Sequence, residues 1–189
     1  METLLRNGLE EHLELFNRLA GLTGVVSEAA RLMSAALSSG HKVMLCGNGG
    51  SAADSQHLAA EFIGRFVKDR RPLAALALST DSSALTSIGN DYSFDEVFYR
   101  QVLGLGKAGD CLLAISTSGN SRNVIRAAEA ARSANIRVIG LLGRDGGALR
   151  ALCDVPIVVP SPTTARIQEA HIFIGHTLCA MVEYALSLA

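Results

Sequence analysis

His57 and Glu61 stand four residues apart, one helical turn, just after a glycine-rich turn, Gly47-Asn48-Gly49-Gly50-Ser51. Far along the chain, Gln168 and His176 share one long stretch of helical character. Two imidazoles, a carboxylate and an amide can hold a divalent metal, or can pass a proton between neighbouring carbons of a bound substrate. A second loop, Ser116-Thr117-Ser118-Gly119-Asn120-Ser121, places four hydroxyls around one glycine and suits an anion. Together the two features point to an enzyme acting on a phosphorylated small molecule.

Both loops need an element on each side to aim them. Lys42–Cys46 is a short apolar run entering the glycine turn, and residues from 51 to about 66 follow with helical character. Leu73–Leu78, Cys111–Ile115, Arg137–Leu142 and Val155–Val159 are further apolar strand candidates, most of them separated by helical stretches such as Ser121–Ser133. This alternation predicts an α/β fold: an open five-stranded parallel sheet flanked by helices. Two additional N-terminal helices precede it. Residues 2–20 carry Leu4, Leu5, Leu9, Leu13, Phe16 and Leu19 at helical spacing, and residues 22–39 run to Gly40, a natural helix stop. The last helix is predicted over Arg166–Leu188, apolar around much of its circumference.

In an open parallel sheet, ligands gather beyond the carboxyl ends of the strands, where helix N-termini present free N–H groups. Both loops follow predicted strands. The first lacks the Lys-Ser/Thr ending of a nucleotide P-loop and the Gly-x-Gly-x-x-Gly spacing of a dinucleotide site, so its Asn48, Gly49, Gly50 and Ser51 are read as contacts to a hydroxylated ligand. The four hydroxyls of Ser116, Thr117, Ser118 and Ser121 form a phosphate cradle without fixed positive charge. Gln168 and His176 lie eight residues apart, ~12 Å along a helix and about 80° around it, so they converge from two turns or come from different subunits. A site at a subunit interface is expected.

The totals narrow the classes. A chain of 189 residues suits one domain, 1–189, and 17 Lys+Arg against 18 Asp+Glu give no general attraction to nucleic acid or an anionic membrane. No apolar run reaches the roughly 20 residues that cross a bilayer, and the opening Met1–Leu5 segment lacks a basic stretch before an apolar core, so a cytoplasmic protein is expected. An apolar fraction of 49% with a mean hydropathy of +0.27 predicts that surface is covered by other copies of the chain. Cys46, Cys111, Cys153 and Cys179 form no Cys-x-x-Cys pair and read as free packing thiols. His12 and His41 read as exposed, His171 and Glu169 as packing or capping residues, and Arg65, Lys68, Arg70 and Arg71 as a solvated basic loop.

Several blocks, taken in order, resemble one family. They are Gly47 to Asp54, the His57/Glu61 pair, Gly89-Asn90-Asp91, Ser116 to Ser121, and Arg166-Ile167-Gln168-Glu169 with His171 and His176. Together they resemble the phosphoheptose isomerases, within the sugar isomerase (SIS) domain superfamily, over essentially the whole chain. The resemblance implies conversion of sedoheptulose 7-phosphate to D-glycero-D-manno-heptose 7-phosphate, an early step toward bacterial lipopolysaccharide heptose, by a homotetramer. It further implies a phosphate site of Ser116, Thr117, Ser118 and Ser121, and sugar contacts from Asn48, Gly49, Gly50, Asn90 and Asp91. A zinc site of His57, Glu61, Gln168 and His176, one per subunit, is implied too, with Glu61 and His176 as acid/base residues. These two duties of Glu61 compete, because a carboxylate bound to a metal is a weaker base. The alternative is a non-catalytic SIS protein that binds the bacterial replication initiator; such proteins lack or replace the acid/base pair, which this chain retains.

Overall fold

The computed structural model describes residues 2–188; Met1 and Ala189, and with them the two ends of the predicted 1–189 span, lie outside the described residues. Five strands form one parallel sheet: β1 (Val43–Cys46), β2 (Ala75–Ala77), β3 (Cys111–Ser116), β4 (Arg137–Gly143) and β5 (Val155–Val159), in the order β2-β1-β3-β4-β5. β1, β3 and almost all of β4 are buried, which is why they read as unbroken apolar runs rather than alternating ones. β2 is shorter than the Leu73–Leu78 run because it is an edge strand, and the Leu73 N–H donates to the Phe62 carbonyl instead of joining the ladder. β5 forms the other edge, and there Pro156 sits inside the strand, where a missing N–H is tolerated.

Helices cover both faces. On one side lie α1 (Glu2–Leu19), α2 (Thr23–Ser38), α3 (Gly50–Ile63) and α7 (Thr164–Ala185), over Val43, Leu45, Leu113, Ile139 and Ile157. On the other lie α4 (Ser82–Asp91), α5 (Tyr99–Leu105) and α6 (Arg122–Ser133), over Met44, Leu112, Ala114 and Val138. α4 and α5 answer to no predicted helix. α4 is rich in Ser, Thr, Gly and Asn, has no fully buried residue, and is started by Asp81, whose Oδ1 accepts the Ala84 N–H at 2.9 Å.

α1 buries only Leu15 and Leu19, while Leu4 and Leu5 remain 76% and 78% exposed and Leu9 and Leu13 are also open. The N-terminal part of the apolar stripe seen in the sequence, Leu4 to Leu13, therefore has no cover within one chain. No helix among the described residues is long and apolar enough to cross a membrane. Cys46, Cys111 and Cys179 are buried and Cys153 half-buried, all unpaired; burial pushes each thiol up to about 12, so none is a ready nucleophile.

Candidate active site

The chain order reverses between β1 and β3, which are neighbours in the sheet: β1 continues outward to β2, and β3 continues the other way to β4. The loops leaving these two strands lead into helices on opposite faces of the sheet, α3 and α6, at its carboxyl end, the place where α/β proteins bind ligands. Both sequence-predicted loops are here. They are also tied together. Asn48, in the β1 loop, and Asn123, in the first turn of α6, exchange two amide hydrogen bonds of 2.8 Å each. Asn123 drew no notice in the sequence, its only signal being its place in the turn that follows the serine-rich loop.

The β1 loop turns so tightly that the first turn of α3 packs back on it, with the Ser51 N–H donating to the Asn48 carbonyl at 3.0 Å. A Cβ on Gly50 would stand 2.5 Å from the Gln168 Nε2, so the missing side chain is what lets the α7 amide rest on the start of α3. Leu58 packs on Gly175 further along, and His57 meets His176 beside it, so α3 and α7 run side by side in the same direction. On this seam three groups converge. His57 Nε2 and His176 Nε2 are 2.8 Å apart, Glu61 Oε1 is 3.6 Å from His57 Nε2, and the three ligand atoms all lie within 4.8 Å of one another. Gln168, the fourth predicted member, lies two turns earlier on α7, against Gly50.

Two imidazoles and one carboxylate fit a divalent cation of the zinc class: the nitrogens and the oxygen are borderline-hard donors, and 2.8 Å between two ring nitrogens lets only one carry a proton toward the other. Asp54, one turn before His57, belongs to this neighbourhood as well. Burial raises its carboxyl above the usual range, against the pull of the nearby His57 and His176 rings. It carries no predicted role within the block Gly47 to Asp54, although a spacing of three residues from His57 puts it on the same helical face.

The serine loop is held from below. Ser116 Oγ lies 3.1 Å from Ser121 Oγ and accepts the Gly119 N–H at 3.1 Å, while Ser118 Oγ accepts the Asn120 N–H at 3.1 Å. Gly119 has φ +65°, and a Cβ there would meet the Gly146 carbonyl oxygen at 1.9 Å, so only glycine fits. Ser121 precedes α6 without a side-chain cap bond, which leaves the first N–H groups of that helix, beside the serine loop, open to an anion.

Other predicted residues go elsewhere. Asn90 and Asp91 lie on the exposed C-terminal end of α4, bonded to each other at 2.8 Å and to neither loop. His171 is fully buried, its Nε2 donating to the Leu142 carbonyl at 3.1 Å, and burial lowers it to about 4, so it packs as a neutral ring. Three expectations need correction. His12 is half-buried rather than exposed, its Nδ1 bonding Glu169 Oε2 at 2.8 Å and its ring stacking on Phe16 to tie α1 to α7, and His41 is half-buried too, its Nδ1 3.7 Å from Asp110 Oδ1. Arg70 is not solvated: its side chain is 2% exposed and pairs with Glu183 of α7 at 2.7 Å.

Comparison with known proteins adds the following. A family model described as "SIS domain" matches residues 9–143. The chain is 52% identical to a phosphoheptose isomerase of Rhodospirillum rubrum, covering 98% of this chain and 99% of that one. It is 50% identical to one of Campylobacter concisus, covering 98% of both. The solved structure of the Neisseria gonorrhoeae phosphoheptose isomerase superposes with a TM-score of 0.93 at 47% identity, over 97% of this chain and 98% of the other.

Proposed function

This chain belongs to the phosphoheptose isomerase family of SIS domain proteins, and on that premise we propose how its site isomerises a heptose phosphate. The protein is an aldose–ketose isomerase that converts sedoheptulose 7-phosphate to D-glycero-D-manno-heptose 7-phosphate in heptose biosynthesis. The reaction moves a proton between C1 and C2 and shifts hydrogen between two oxygens through an enediol(ate), so it needs a base, an acid and a stabiliser of negative oxygen. The observation that carries the assignment is the convergence of Glu61 and His176 from separate ends of the chain. A non-catalytic relative has no use for that pair.

In this reading Ser116, Thr117, Ser118 and Ser121, with the N-terminus of α6, hold the phosphate. Asn48, Gly49, Gly50, Ser51 and Gln168 line the sugar. Glu61 takes the carbon-bound proton and His176 serves the oxygens. His57, Glu61 and His176 would hold one zinc ion per subunit, with Gln168, two turns away against Gly50 in its own chain, supplied as the fourth donor by a neighbouring copy. The bound cation would supply positive charge to polarise the carbonyl and its neighbouring hydroxyl. Asn90 and Asp91, exposed on α4, reach the sugar of a neighbouring copy in a homotetramer, whose contacts also cover Leu4, Leu5, Leu9 and Leu13. Unpaired thiols agree with a cytoplasmic enzyme.

The test is incubation of purified protein with sedoheptulose 7-phosphate, with and without a chelator. The aldose product should accumulate in metal-replete buffer and stop on chelation. Protein that is fully folded, metal-replete and inert would overturn the proposed chemistry; activity untouched by exhaustive chelation would overturn the zinc site alone.

A further inference from the structure

Directly beyond the His57/Glu61/His176 cluster, the C-terminal end of α3 is held by one buried ion pair. Arg70 leaves the chain after α3 and turns back under it: Nη2 donates to the Glu61 carbonyl at 2.9 Å, and Nη1 to those of Phe62 at 2.8 Å and Gly64 at 3.1 Å. Those are carbonyls that the end of a helix leaves without partners. Arg70 Nε then donates to Glu183 Oε1 at 2.7 Å, and the same oxygen accepts the Phe66 N–H at 3.0 Å. Glu183 lies seven residues after His176, two turns along the same face of α7. Phe66 in turn sets its ring 5.4 Å from the His176 imidazole. The side chains of the pair are 2% and 1% exposed.

Helices that pack side by side can slide and rotate unless something fixes their register. Along this seam the apolar contacts, such as Leu58 on Gly175, are non-directional. The Arg70–Glu183 pair is directional, and each partner is anchored to backbone or seated on the helix that carries one half of the chemistry. We propose that Arg70 and Glu183 are positioning residues that set the register of α3 against α7, and so the distance between the Glu61 carboxylate and the His176 ring. This deepens the isomerase reading and rests on it for its kinetic consequence, though not for its geometric one. Neither residue touches substrate.

Removing one partner leaves a buried charge alone and endangers folding, so the decisive variant is the double one, Arg70→Met with Glu183→Leu. Replacing a buried pair by apolar groups of similar volume often preserves stability. The double variant should melt within a few degrees of wild type. Its kcat should fall at least tenfold, and by more than KM for sedoheptulose 7-phosphate rises, because the phosphate loop lies on other elements. In metal-free protein, the ring nitrogen resonances of His57 and His176 should shift while that of buried His171 does not. Arg70→Lys keeps the charge but not the fork of donors, and should show a smaller loss of kcat.

A folded double variant with wild-type kcat and unmoved His57 and His176 resonances overturns the proposal. So does a variant that fails to fold when Arg70→Lys folds with full activity. If wild type proves inert on the sugar phosphate, the isomerase assignment falls, and the histidine resonances still decide whether the pair sets the register.

Discussion

The α3/α7 seam and the turn between β3 and α6 hold polar groups by opposite means. At the turn, almost everything is local: Ser116 to Ser121 are consecutive, their hydroxyls bond one another's backbone, and α6 begins at once. Along the seam the decisive contact is not local. His57 and His176 are 119 residues apart, and their 2.8 Å contact exists because two helices pack in one register. An anion needs a ready-made nest of donors, which a short peptide can fold. Proton transfer needs groups placed to within a fraction of an ångström, which takes the rigidity of two packed helices.

That contrast can be broken by experiment. Glu61→Gln should have the largest effect, a loss of about 10³-fold in kcat with KM little changed, if the proposed general base is removed while the proposed phosphate loop is left intact. Steady-state kinetics that show a raised KM at normal kcat would move Glu61 from chemistry to binding. On α7, the partner helix, His171 gives a second, pH-dependent effect. Its folded value of about 4 lies below the ordinary 6.5, so the unfolded chain takes up a proton between those values that the folded one refuses. Stability should be full above pH 6.5 and fall as pH drops toward 4, by on the order of 3 kcal/mol from this group. Denaturant unfolding at several pH values would show it, and His171→Leu should flatten that window.

Smaller effects are expected at the turn. Ser118→Ala should raise KM about tenfold at unchanged kcat, one hydrogen bond to a charged group being lost. An unchanged KM would take Ser118 out of the phosphate site. Smallest of all, Asn123→Ala removes the amide pair that ties the two loops, at a stability cost of about 1 kcal/mol. A KM effect larger than that of Ser118→Ala would mean that loop alignment, not hydroxyl donation, dominates capture.

The same contrast decides what could be read in advance. Five parallel strands, both loops and the His57/Glu61 pair were legible, because apolar runs, glycine turns and helical spacing are written in consecutive residues. β3 and β4 ended one residue later than predicted, and β2 shrank at its edge. α4 went unread since it has no apolar stripe and depends on a single cap at Asp81. Arg70 was misread because a basic run looks the same whether it meets water or a carboxylate 113 positions away. Asp54, three residues before His57, and Asn123, just after the serine loop, carry only positional marks; their neighbours in space give them meaning.

Pro156 in β5 has a consequence for how copies of this protein meet. A strand on the rim of a sheet is normally an invitation to another chain, which can add itself by main-chain pairing and start a polymer. Here one rim carries an imino acid and the other is only three residues long, so neither offers a template for growth. The exposed Leu4, Leu5, Leu9 and Leu13 of α1, rather than a sheet edge, are then the surface on which the proposed closed assembly would form and stop growing.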